Sequence, residues 1–261
     1  MKKKGRYIVL LVILLIYFIL MFFVYGKDYL KEEKITTKLI LGNQTVWELR
    51  NRKWYLLSSR SQIDKLNWQK FNVYVNRENI GEYYLWNDDE KWYLFNENKE
   101  AYLYRGRLFA YQSNYDLRIK EFTTEKITDF KVVNEVLNEN NIPTNQELTT
   151  ASLVNIDIDN DKKEEQFYLV SNAFTESANQ PDNIFSIVFM VKENKKYILY
   201  NSIERNKGLN GCQPYINYVL DINDDKKHEL ILSCARYDLL PQLDMLYKFE
   251  NNEFKILISN E

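Results

Sequence analysis

The chain is poor in histidine, cysteine, glycine and basic clusters, and each shortage excludes a class of chemistry. Its 261 residues contain one histidine, His228. With no G-x-S-x-G and no H-E-x-x-H, neither a serine triad nor a zincin site is supported. His228 reads as a solvated loop residue. Two cysteines, Cys212 and Cys234, cannot build a four-cysteine zinc site. The 7 glycines form no phosphate-cradling P-loop. Apart from Lys2, Lys3, Lys4 and Arg6, 31 basic residues face 37 acidic ones with no basic stripe, so no nucleic-acid partner is expected. No catalytic motif is found, and the chain does not read as an enzyme. A carboxylate pair of the glycosidase kind stays open, because 37 acids offer too many combinations to choose from.

What is present starts with one long apolar run. "YIVLLVILLIYFILMFFVY", residues 7–25, is 19 residues without a charge. As a helix it spans about 28 Å, close to the hydrocarbon thickness of a bilayer. It is longer than a secretory core segment, and "FFVYGKDYLKEE" offers no small-residue cleavage site; a cleaved signal peptide is the alternative. The basic flank 1–6 predicts a cytoplasmic N-terminus. The expectation is a single-pass signal-anchor in the cell membrane, a stalk over 26–35, and an extracytoplasmic C-terminal domain. Outside the cytoplasm disulfides persist, so a Cys212–Cys234 bridge is expected, with two free thiols as the alternative.

The whole chain is 45% hydrophobic and 15% aromatic, enough to bury a core. From 36 to 145 it runs as short strand-like segments ("TVWELR", "KWYLLS", "FNVYV", "EYYLW", "KWYLFN") separated by Asn, Asp and Gly. All five tryptophans lie between Trp47 and Trp92. Either they pack across strands as core, or they form a platform that stacks on sugar rings. One helix is predicted near 129–140, capped by Thr128 or Asp129, with Phe130, Val133, Val136 and Leu137 on one face. A domain boundary is placed near 145.

Residues 146–261 repeat themselves. "DIDNDKKEE" at 157–165 returns as "DINDDKKHE" at 221–229, each between the first and second of four predicted strands. Asp157, Asp159, Asp161 and Glu165 match Asp221, Asn223, Asp225 and Glu229. Oxygen ligands at positions 1, 3, 5 and 9 suit Ca²⁺, which takes about 6–8 oxygens in flexible geometry. The pattern is not an EF-hand, because strands flank the loop and Lys stands at position 6. The alternative is a polar turn in which Asp and Asn bond nearby backbone N–H groups.

The loops and the strands beside them resemble the FG-GAP/VCBS repeats of integrin-like β-propellers, over about 151–258. The resemblance implies structural calcium at the acidic positions. It also implies blade-like four-stranded units. Lys162 and Lys226 stand where that family usually has glycine.

The fold class expected is therefore all-β: antiparallel sheets, a partial propeller or sandwich-like, with one N-terminal transmembrane helix and one short helix. The function expected is a membrane-anchored interaction module for a surface polysaccharide or protein. An envelope polysaccharide hydrolase and an accessory subunit of a membrane complex are the rivals.

Overall fold

The computed structural model describes residues 35–42, 45–88, 91–114, 117–145, 147–173, 183–205, 212–236 and 242–260. The expected anchor, 7–25, and nearly all of the stalk lie outside the described residues. Among those described, no helix is long and apolar enough to cross a membrane.

The described chain is mostly antiparallel β-sheet, as its strand-and-turn pattern leads one to expect. The first sheet contains β1 (Ile35–Leu41), β2 (Thr45–Arg50), β3 (Lys53–Leu56), β4 (Lys70–Val75), β5 (Glu78–Asn87), β6 (Trp92–Phe95), β7 (Ala101–Tyr102) and β8 (Leu108–Ser113). Its order is β3-β2-β1-β8-β4-β5-β6-β7. The last strand thus inserts between β1 and β4, pairing Tyr111 with Leu39 and Ala110 with Val73.

Two more sheets follow. Short strands β9 (Arg118–Ile119) and β10 (Thr124–Lys126) each join one of them. The first repeat unit is β11 (Thr150–Ile156), β12 (Glu165–Ser171), β13 (Asn183–Lys192) and β14 (Lys195–Arg205). The second is β15 (Gln213–Asp221), β16 (Glu229–Ala235), β17 (Leu243–Glu250) and β18 (Glu253–Ser259). Each is a consecutive meander, with β10 on the edge of the first and β9 on the edge of the second. The chain therefore enters the C-terminal sheets at residue 118, ahead of the boundary read near 145.

Four hairpins use one device. Asn51–Arg52, Asn76–Arg77, Glu193–Asn194 and Asn251–Asn252 are two-residue turns with positive φ at both positions. That geometry matches the strand twist, and Asn adopts it at small cost.

Two α-helices are described. α1 (Arg60–Ile63) runs into a 3-10 turn that buries Leu66. Nothing in the sequence had pointed to it. α2 (Lys131–Glu139) lies where a helix was expected. Its cap position is Phe130, while Asp129 Oδ1 accepts the Lys131 N–H at 2.9 Å. Val133, Val136 and Leu137 are buried, but Phe130 is exposed rather than part of the apolar face.

The sheets stack in layers. Tyr168 and Val170 of β12 face α2. Phe167 and Leu169 face the second unit, where they meet Leu230, Leu232 and Cys234. Ile231 faces the eight-stranded sheet with Leu39, Trp47 and Phe109. With the acidic loops aligned 64 residues apart, Ile231 matches Phe167 and Leu232 matches Tyr168. The two units therefore stack in the same sense, as repeats do, and α2 covers the free face of the first. Cys212 and Cys234 are joined by a disulfide at the interface between the units.

Candidate functional site

The two acidic loops are copies at the level of single hydrogen bonds. In the first, Asp157 accepts the Asp161 N–H on Oδ1 at 3.0 Å and the Lys162 N–H on Oδ2 at 3.1 Å. In the second, Asp221 accepts the Asp225 N–H at 3.2 Å and the Lys226 N–H at 3.0 Å in the same way. Asp161 Oδ1 takes the Lys163 N–H at 2.8 Å, and Asp225 Oδ1 takes that of Lys227 at 2.9 Å. Glu165 Oε2 and Glu229 Oε2 close the loops on the Ile158 and Ile222 N–H groups, both at 3.0 Å. The left-handed residues also match: Asn160 and Lys162 in one loop, Asp224 and Lys226 in the other. Lys162 and Lys226 thus hold a backbone conformation that glycine takes more easily, φ 71° and 67°.

Asp157, Asp159 and Glu165 each offer a carboxylate oxygen within 4.8 Å of the others, close enough to share one ion. Sequence reasoning missed what else reaches them. Lys192, at the end of β13, places Nζ 2.6 Å from Glu165 Oε1, 2.8 Å from Asp159 Oδ2 and 3.3 Å from Asp161 Oδ2. Burial pulls the Lys192 pKa down, but the Asp159 and Glu165 hydrogen bonds outweigh it and hold the ammonium above the ordinary lysine range. Lys248 of β17 pairs across the ladder with Glu229. Its Nζ lies 2.8 Å from Asp225 Oδ2 and 3.8 Å from Glu229 Oε1. Asn223 turns to Asp225, donating to its Oδ2 at 3.2 Å and accepting its N–H at 3.0 Å.

Glu229 is 1% exposed and its Oε1 accepts no hydrogen bond. Burial, with Asp225 adding to it, pushes this carboxyl up to about 7 against the Ile222 N–H. Burial also pushes on Asp225, but contacts to Lys248 and the Lys227 N–H prevail and hold it below the usual carboxylate range.

His228 is half-buried, not solvated. Its N–H reaches the Ile158 carbonyl at 2.9 Å, and Nδ1 lies 3.1 Å from the Asp157 carbonyl. The lone histidine thus ties one loop to the other. Burial and the nearby Lys120 charge keep its pKa below the ordinary value.

The aromatic residues divide by role. Trp47 and Trp92 are fully buried. Trp54 is half-buried in a cleft of about 700 Å³ between the β2–β3 turn and the second loop, shared with Arg52, Asp225, Glu229 and Lys248. Trp86 and Tyr93 face each other across β5–β6 with ring centroids 5.5 Å apart. Tyr84 pairs with Phe95 in the same register two residues on, so these four share one sheet face. Trp68 lies against Phe95 at 4.9 Å and is 50% exposed. A hollow of about 400 Å³ there is lined by Trp68, Tyr84, Glu97 and Lys99. Trp68 has φ 63°, a left-handed conformation costly for so bulky a residue.

Compared with known proteins, the chain matches no family model, no curated protein and no solved structure.

Proposed function

We propose that the chain is a membrane-anchored, extracytoplasmic binding module. Residues 7–25 tether it, and the outward strip of Trp68, Tyr84, Trp86, Tyr93 and Phe95 contacts a polysaccharide. The observation that carries this reading is Trp68, a large ring held half-exposed on a left-handed backbone. Strain of that kind persists only where the surrounding structure enforces it, and it gathers at functional positions. The adjacent hollow puts Glu97 and Lys99 beside two aromatic rings. Ring faces and charged hydrogen-bonding groups side by side suit a sugar, which is apolar on its ring face and polar at its rim. The uncharged run at 7–25 supports the anchor, and the disulfide suits an oxidising compartment. The same-sense stacking of two four-stranded units supports the FG-GAP-like repeat reading.

A second reading rests on Asp225 and Glu229, whose pKa values are driven apart in one cleft as an acid–base pair would need. Burial weighs against it: Glu229 is 1% exposed, with one oxygen on the Ile222 N–H and the other walled off from solvent.

The test is co-sedimentation of the detergent-purified full chain with insoluble envelope polysaccharide. Trp68→Ala and Trp86→Ala should each weaken retention by about tenfold or more while the melting temperature holds. Retention equal to the unaltered chain removes the strip as the contact surface. Release of sugar fragments favours the hydrolase. Retention in the membrane pellet after alkaline washing, lost when 7–25 is deleted, checks the anchor.

A further inference from the structure

We propose that Lys192 and Lys248 are the resident cations of the two acidic loops. Each supplies a tethered ammonium where a calcium loop holds a divalent ion, so the loops close without metal. Three observations carry this.

The first is position. Lys192 Nζ contacts Asp159, Asp161 and Glu165, at loop positions 3, 5 and 9, with all three distances between 2.6 and 3.3 Å. An ammonium has three donors, and here each has an acceptor. Two of them, Asp159 and Glu165, belong with Asp157 to the trio of carboxylates close enough to share one ion.

The second is that the acceptors are already taken. Asp157, Asp159 and Glu165 could share one ion, and calcium takes about 6–8 oxygen ligands. In the folded chain Lys192 already holds Asp159 Oδ2, Asp161 Oδ2 and Glu165 Oε1, while Asp159 Oδ1 accepts no hydrogen bond. A divalent ion would have to expel the lysine first, because the two cations cannot share one set of acceptors.

The third is repetition. In the second unit a lysine again arrives from the third strand, opposite the last acid of its loop, and again reaches the carboxylate at position 5. Two loops with the same backbone each draw in a lysine from the third strand, Lys192 onto three carboxylates and Lys248 onto Asp225. This is independent of what the aromatic strip binds.

The experiment is calorimetric titration of the full chain in detergent with calcium, and its melting in calcium or in chelator, for the unaltered protein and for Lys192→Met and Lys248→Met. Methionine keeps the stem and removes the charge. The unaltered chain should give no binding heat at millimolar calcium and the same melting temperature in chelator. Lys192→Met should melt roughly 5–15 °C lower in chelator. It should recover in calcium, with a dissociation constant at or below about 1 mM. Calcium binding to the unaltered chain, lost on Asp159→Asn, would overturn the proposal. So would a Lys192→Met protein that melts at the unaltered temperature in chelator. Should Lys192→Met fail to fold, the titration of the unaltered chain and the behaviour of Lys248→Met still decide.

Discussion

The first and second acidic loops share a backbone and, at positions 1, 3, 5 and 9, differ in one carboxylate, Asp159 against Asn223; elsewhere Asn160 faces Asp224 in the alignment and Glu164 faces His228. In the first loop Lys192 sits among three carboxylates. In the second, Lys248 moves to Asp225 and leaves Glu229 Oε1 at 3.8 Å without a hydrogen bond. An amide in place of a carboxylate weakens the pull at the centre, and Asn223 also engages Asp225 itself. A buried acid that loses its cation by about an ångström takes up a proton more readily. The comparison teaches that one loop backbone can hold its lysine in two ways, and that Glu229, 3.8 Å from Lys248, has its carboxyl raised chiefly by burial.

Removing each lysine breaks the comparison most strongly. Lys192→Met should cost about 2–4 kcal/mol in denaturant unfolding, because buried Glu165 loses its charged partner while half-buried Asp159 and exposed Asp161 are screened by solvent. Lys248→Met should cost roughly a third of that, since its pairing is already partial. Equal losses would mean that the extra carboxylate of the first loop carries no weight.

The second unit alone is stapled. Replacing both Cys212 and Cys234 by alanine opens a link spanning 22 residues. The chain-entropy treatment puts the loss at about 3 kcal/mol. Native-state hydrogen exchange should show β15 and β16 loosening before β11 and β12; uniform loosening would mean the units unfold together.

Glu229 sharpens the difference through pH. Its carboxyl ordinarily titrates near 4.5 and is raised to about 7 in the folded chain. The native state therefore holds more protons than the unfolded state between these values, and this group's contribution to stability declines as pH rises through that window. Glu229→Gln should flatten that decline and be more stable at pH 8 by about 2 kcal/mol. An unchanged pH profile in Glu229→Gln would show that the carboxylate is ionised at no cost.

The smallest effect is on the backbone the loops share. Lys162→Gly and Lys226→Gly relieve a left-handed φ while adding freedom to the unfolded chain, and each should change stability by no more than about 1 kcal/mol, in the stabilising direction. A loss above that would mean that the lysine side chain itself matters there.

Several features were legible in the sequence because they depend on neighbours along the chain. The paired Asp-rich loops, the alternation of β11–β18 and the buried stripe of Val133, Val136 and Leu137 all follow from local spacing. The rest needed contacts between distant residues. Insertion of β8 between β1 and β4 is a pairing across more than thirty residues on either side. No local pattern separates the core Trp47 and Trp92 from the outward Trp68 and Trp86, because all five tryptophans occur in similar aromatic segments. Lys192 and Lys248 carried one usable signal: each lies just before the last hairpin of its unit, "VKENK" and "YKFENNE".

By itself, then, the sequence determined the β-rich class, the duplicated loop and the identity of its acids, because strand period and turn chemistry act over a few residues. The tertiary structure decided which cation those acids meet and which aromatic rings stay outside. An ammonium 27 residues from Glu165 in sequence reaches it at 2.6 Å only once β12 and β13 pair, and sheet register sets which face each ring occupies.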